Sequence, residues 1–155
     1  MRTARRSESS DMRTTTLRPT DVEVGATLPP MTIQATPTFI ISTALATRDF
    51  QDVHHDRDAA VARGSQDIFL NILTDNGLVQ RFVTDWAGPE ALVRAIDIQL
   101  GVPCYAYDTL TFTGTVTDRV TVGGEQRWVI EVIGKGNLGD HVRGTVHIAL
   151  PEVTS

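Results

Sequence analysis

The chain has 155 residues, a net charge of −5, and 41% hydrophobic against 21% charged residues. These values suit one globular domain with a moderate core, and the acidic balance without a basic cluster in the folded part argues against nucleic acid as a partner. Cys104 is the only cysteine, so an intrachain disulfide and CxxC-type zinc sites are excluded. No segment approaches the ~20 apolar residues that span a bilayer, and a cytoplasmic location is the simplest expectation.

Residues 1 to 20 hold Arg2, Arg5, Arg6, Arg13 and Arg18 among serines and threonines, with almost no apolar residue. The composition predicts a disordered tail, with Met12 a candidate start and a single domain over residues 21 to 155. A secretory signal would need an apolar stretch after the basic start, and none follows. Met31-Thr32-Ile33 reads as a short strand. Thr38 can cap a helix carrying Phe39, Ile40, Ile41, Ala44 and Leu45. That helix delivers the chain into a charged loop holding Asp49 and His54. Phe50 and Val53 are expected to anchor this loop, leaving Asp49 and His54 to point elsewhere. Asp56 stands at the N-cap of a short helix through Arg57, Ala59, Ala60 and Val61, ending at Gly64.

The strongest periodicity follows. Ile68, Ile72, Val79, Val83 and Trp86, with Phe69, Leu73 and Phe82 beside them, recur at helical spacing. Ser65 or Asp67 can cap the start, and Ala87-Gly88-Pro89 stops the helix. About nineteen residues make roughly 28 Å of helix, long for so small a domain. Four alternating segments come after it, around Ile96–Leu100, Leu110–Val116, Trp128–Val132 and Val142–Leu150. Val122-Gly123-Gly124-Glu125 and Gly134-Lys135-Gly136-Asn137 supply turns. The predicted class is α+β: a long central helix wrapped by a curled antiparallel sheet.

Asp49 and His54 carry the most information about chemistry. A carboxylate and an imidazole held by a short loop beside a buried helix can position and deprotonate one water. The competing reading is local, since Asp and His are common in loops, where their side chains bond nearby backbone. His54, His55 and Asp56 with Asp49 and Asp52 also contain metal-ligating types, but adjacent histidines in a loop point in different directions. No metal is expected, and His55 is expected to face solvent or a neighbouring chain. Cys104 lacks any Cys-His context and reads as a buried structural thiol. Tyr105 and Tyr107 can line an acyl pocket or simply pack. His141 and His147 show no acidic partner in phase, so sheet-surface roles are expected for both.

The order of elements and the motif around Asp49 resemble the hot-dog fold of the MaoC-like (R)-specific enoyl-CoA hydratases. Their motif runs Gly-Asp-x-Asn-Pro-x-His-x-Asp-x-x-x-Ala. Asp49, His54, Asp56 and Ala60 match it in register, while Arg48, Gln51 and Asp52 replace the usual Gly, Asn and Pro. Pro103 with Asp108-Thr109-Leu110 matches a second family pattern, in which Tyr107 replaces a glycine. The stretch Phe39 to Asp56 is similar to the small MaoC-like subunit of actinobacterial heteromeric steroid side-chain hydratases. That branch implies a larger MaoC-like partner bearing an OB-type domain, with two copies of each chain.

The resemblance implies water addition to C3 of a trans-2-enoyl-CoA ester, with CoA as part of the substrate and no separate cofactor. Asp49 accepts the proton of the water and His54 relays it to C2. Both groups are expected to be partly desolvated, which pulls their pKa values toward the working range. The backbone N–H at Asn71, near the start of the central helix, takes the position of the family's oxyanion donor. Tyr105 and Tyr107 are assigned to substrate binding. The alternatives are a hot-dog acyl-CoA thioesterase and a non-catalytic scaffold subunit.

Overall fold

The computed structural model describes residues 12 to 152. Five strands form one antiparallel sheet, β1 (Thr27–Gln34), β2 (Leu92–Leu100), β3 (Thr109–Val122), β4 (Glu125–Gly136) and β5 (Gly139–Ala149). Their order across the sheet is β1-β3-β4-β5-β2, so β1 and β2 are the two edges. Three helices accompany it, α1 (Pro37–Ala46), α2 (Arg57–Ala62) and α3 (Ile72–Ala87). The sheet curls around α3, as the alternation of the strands predicts.

The core is where the two periodicities meet. α3 buries Leu78, Val79, Phe82, Val83 and Ala87, spaced to form one stripe. The sheet answers with Leu110, Phe112 and Val116 from β3, Trp128, Ile130 and Val132 from β4, and Val142, Val146 and Ile148 from β5. The rings of Phe82 and Phe112 meet at 5.9 Å between centroids. Gly114 faces α3 from the middle of β3, where a Cβ would stand 2.9 Å from the Phe82 ring, so glycine sets how closely helix and sheet approach.

Local chemistry explains most boundaries. The β3–β4 hairpin turns on Gly123 and Gly124, both at positive φ, as a two-residue turn between right-twisted strands requires. The second hairpin turns at residues 137–138 rather than over Gly134–Asn137, because β4 stays paired to Gly136. Thr36, not Thr38, caps α1 by accepting the Phe39 N–H at 3.1 Å. Asp56 caps α2 through the Ala59 N–H as predicted.

The central helix is shorter than its periodicity suggests. It starts at Ile72, with Asn71 as N-cap, and has 16 residues, roughly 24 Å. Ile68 and Leu70 are apolar and buried but extended, their backbone bonded to the segment 104–106. A buried extended run and a buried helical turn look alike in sequence, which is why the start shifts by one turn.

The N-terminal expectation is also corrected. Residues 1–11 lie outside the described residues, but 12–20 are part of the domain. Leu17 is buried, and its N–H bonds the Ala87 carbonyl at 2.8 Å. The Arg13 side chain donates to the Trp86 carbonyl at 2.8 Å, and the Arg13 N–H bonds the Asp85 carbonyl at 3.0 Å. This strap satisfies carbonyls that a helix C-terminus leaves open. Gly88 ends α3 at φ +102°, and the Thr16 backbone occupies the space a Cβ would need.

Candidate active site

α1 ends beside the site. Arg48 turns the chain at φ +57°, and the Asp49 N–H bonds the Ala44 carbonyl at 3.0 Å, which fixes Asp49 against the helix end. The turn Asp52–His54 then carries the imidazole inward. His54 Nδ1 lies 2.8 Å from the Phe69 carbonyl. A carbonyl only accepts, so Nδ1 carries a proton, and in the neutral form of the ring Nε2 presents its lone pair. Nε2 stands 3.5 Å from Asp49 Oδ2. With the ring in that form two acceptors stand side by side, and a single water can bridge them from beside the pair.

Asn71 completes the arrangement in a way its backbone assignment alone does not convey. Its Nδ2 donates to Asp49 Oδ2 at 3.0 Å and to Thr47 Oγ1 at 2.9 Å. Its Oδ1 caps α3 by accepting the Thr74 N–H at 3.0 Å, and it also bonds the Thr74 hydroxyl. One buried side chain therefore ties the carboxylate to the helix start. No protein acceptor takes the N–H groups of Asn71, Ile72 or Leu73 among the described residues, as expected of a helix N-terminus. The role of the Asn71 side chain was not read from the sequence, although Asn is among the preferred N-cap residues.

The charge state of Asp49 departs from the expectation of a desolvated, raised carboxyl. The Asn71 hydrogen bond, joined by the Gln51 N–H at 3.3 Å, holds Asp49 below its ordinary range, against the opposing effect of burial. Hydrogen bonds to the charged form outweigh desolvation at this half-open position. Asp49 is consequently a carboxylate at neutral pH. The sign is that of a depressed carboxyl: ionised above its lowered pKa, and protonated only as pH falls through it. Asn71→Ser keeps a capping oxygen but removes the donor to Asp49, and moves the acid limb of kcat/KM upward with turnover down by ~10-fold. A pH–rate profile measures this, and an unmoved acid limb would refute the Asn71–Asp49 coupling.

The tyrosines separate. Tyr105 is half-buried and reaches the dyad through Phe69, with ring centroids 6.1 Å apart, while Phe69 meets His54 edge-on at 4.9 Å. Tyr107 is 74% exposed and stands away from that stack. Its φ is +72°, and with Arg48 it is one of two non-glycine residues at positive φ among the described residues. Both occupy positions where the family motifs carry glycine. Each holds a left-handed backbone costing on the order of 1 kcal/mol, and both motifs keep their turns despite the substitutions. The Asp108 carboxylate closes the second turn by accepting the Tyr105 N–H at 3.0 Å.

Other expectations sort cleanly. Val53 packs against the core, but Phe50 is 66% exposed and does not anchor the loop. Asp52 pairs with Arg63 at 2.6 Å, Asp56 caps α2, and His55 is exposed. Cys104 is fully buried, and burial, then Asp108 and Asp75, push its thiol up to about 12, which makes it a poor nucleophile. His141 is not on the sheet surface. It is buried against Asp75 of α3, a partner far away in sequence.

No protein-family model matches the chain. The chain is 61% identical over 127 residues to the 3-oxo-4,17-pregnadiene-20-carboxyl-CoA hydratase beta subunit of Mycobacterium tuberculosis, covering 82% of this chain and 95% of that protein. It is similar to a chain of the solved ChsH1–ChsH2 complex from Mycobacterium tuberculosis, with a TM-score of 0.78 and 61% identity, covering 83% of this chain and 98% of that one. The (R)-hydratase from A. caviae involved in PHA biosynthesis shares the fold, with a TM-score of 0.74 at 16% identity over 84% of this chain and 98% of that one.

Proposed function

We propose a function from one premise: the chain belongs to the MaoC-like enoyl-CoA hydratase family, in the branch of the steroid hydratase beta subunits. It is a hydro-lyase, and its substrate is a trans-2-enoyl-CoA ester of a steroid side chain. It works as the catalytic small subunit beside a larger MaoC-like chain, with two copies of each. The observation that carries this reading is the dyad. Asp49 and His54 present two acceptors 3.5 Å apart, each oriented by its own second partner, Asn71 and the Phe69 carbonyl.

The reaction follows from that geometry. One water bridges Asp49 and His54 Nε2 from beside the pair and attacks C3 of the enoyl thioester. Its proton passes to the dyad as the C3–O bond forms, and His54 delivers a proton to C2, so the pair ends as it began. Negative charge grows on the thioester oxygen meanwhile. The N–H groups at Asn71 and the first turn of α3 supply donors and a favourable helix dipole there. Tyr105 lines the acyl side through Phe69, and Tyr107 lines the outer rim, where a large acyl group and the partner meet.

Exposed apolar side chains support the heteromer. Leu45, Phe50, Ile72 and Leu73 are all exposed and flank Asp49 and Asn71 in the chain, and Tyr107 is exposed beside the half-buried Tyr105. An active site rimmed by such residues is a surface to be covered. The test is an ultraviolet assay of the paired subunits on a steroid side-chain enoyl-CoA. Hydration removes the enoyl chromophore without releasing thiol, whereas free CoA thiol appearing first would make the protein a thioesterase.

A further inference from the structure

Outside the dyad, the most deeply buried charged cluster is His141 with Asp75, whose side chains are 2% and 0% exposed. His141 is the third residue of β5, and Asp75 lies in the first turn of α3. Nδ1 of His141 is 2.7 Å from the Val102 carbonyl, and Nε2 is 3.0 Å from Asp75 Oδ1. We propose that His141 and Asp75 are positioning residues of the hydration site, fixing the first turn of α3 and keeping the ground beneath its N–H groups free of net charge. This rests on the hydratase reading, because it assigns those N–H groups to the thioester oxygen.

Proton counting fixes the charge. The Val102 carbonyl only accepts, so Nδ1 carries a proton. Nε2 and Asp75 Oδ1 can bond only if one more proton lies between them. Whichever atom holds it, the pair is neutral as a whole. Asp75 Oδ2 is buried with no hydrogen-bond partner among the described residues, so the carboxyl depends on His141 alone. Burial disfavours an imidazolium, but Asp75, the Val102 carbonyl and Asp108 outweigh it and raise the His141 pKa. The titratable groups around it are Asp75 from α3 and Cys104 and Asp108 from the segment before β3; Asp140, its neighbour on β5, pairs with Arg143.

The pair joins both supports of the dyad. The Asp75 N–H bonds the Asn71 carbonyl at 3.2 Å, one turn from the side chain that holds Asp49. On its other side Val102 begins the segment whose Cys104 carbonyl takes the Leu70 N–H at 3.1 Å and whose Tyr105 pairs with Phe69, the residue that orients His54. Without His141, a carboxylate would stand in a dry first turn beneath an anion that the same turn must stabilise. Like charges at low dielectric repel strongly. A pair serving only the fold would not couple to the pH dependence of turnover.

That distinction is the experiment, run on the full chain with its partner. His141→Gln keeps a donor toward Asp75 but no charge. The stranded buried carboxyl favours its neutral form, harmless at low pH, and gains charge as pH rises. The expected result is a new alkaline limb: kcat falls by about tenfold or more from roughly pH 6 to roughly pH 9, with KM within about twofold. Adding Asp75→Asn removes the charge and the limb, while Asp75→Asn alone lowers kcat a few-fold at every pH and gains no limb. A pH-independent loss in His141→Gln, unrelieved by Asp75→Asn, overturns the proposal, as does unchanged turnover. Thermal melting reads the charge without substrate: His141→Gln should melt lower as pH rises, and Asp75→Asn should cancel that trend. A melting temperature of His141→Gln that ignores pH also overturns it, whereas a well-folded wild-type complex that hydrates nothing overturns the functional reading instead.

Discussion

Asp49→Asn and His54→Ala are each expected to lower turnover by ~10²-fold or more while the fold persists. Asp49→Asn preserves shape and removes the charge, so in the proposed mechanism the water loses the acceptor that takes its proton. An amide there also presents a donor toward Asn71 Nδ2, itself a donor at 3.0 Å, unless it rotates its oxygen to that side. His54→Ala leaves the Phe69 carbonyl without its 2.8 Å donor and opens a path for bulk water. The double variant should be little worse than the poorer single one, because two groups that share one water, as proposed, have effects that are not additive. His55→Ala is the control, since that ring is exposed, and should keep most activity. Stopped or continuous ultraviolet assays with circular dichroism on each variant measure this, and near-wild-type hydration by either single variant would remove the dyad from the mechanism.

Expressed alone, the chain is expected to show at least ~100-fold less hydratase activity than when mixed with its larger MaoC-like partner. Two physical reasons combine. The proposed tetracyclic acyl group and CoA together are too large for one small domain to bury, and the residues next to Asp49 and Asn71 in the chain, Phe50, Ile72 and Leu73, leave exposed apolar side chains for a partner to cover. Covering them removes water from the site and strengthens the electrostatics of the helix N-terminus. Size-exclusion chromatography with light scattering should give a species with two copies of each chain. Phe50→Asp or Leu73→Asp should weaken assembly and activity together, because a charge placed in such an interface loses its hydration without a partner. Full activity of a purified homodimer on short straight enoyl-CoA would instead make this an ordinary (R)-specific hydratase.

The chain itself fixes much of what the site needs. Alternating apolar residues in four segments specify strands with one buried face, and Leu78 to Ala87 specify the helix stripe they enclose. The spacing from Asp49 to His54 and the cap at Asp56 are local, so they survive folding unchanged and are visible in one dimension. The two left-handed turns, at Arg48 and Tyr107, were not legible, because neither position carries the glycine that the family motifs place there. The start of α3 was obscured because Ile68 and Leu70 are as apolar as the helix and differ only in backbone pairing. The strap over residues 12–20 was obscured because it docks mainly by backbone hydrogen bonds and a single buried leucine, which leave almost no periodic signal.

What tertiary structure alone decided is which distant residues meet. β2 follows α3 in the chain yet pairs with β5 at the far edge, a choice set by closure of the sheet around the helix and not by any property of its nine residues. That closure places His141 against Asp75 across 66 positions. It also places the Asn71 side chain on Asp49, and this contact lowers a carboxyl that burial by itself would raise. Sequence patterns report a residue's own environment, apolar or polar, helical or extended. They do not report partners, because a hydrogen bond between elements depends on both backbones arriving at the same point, and that is a property of the assembled fold.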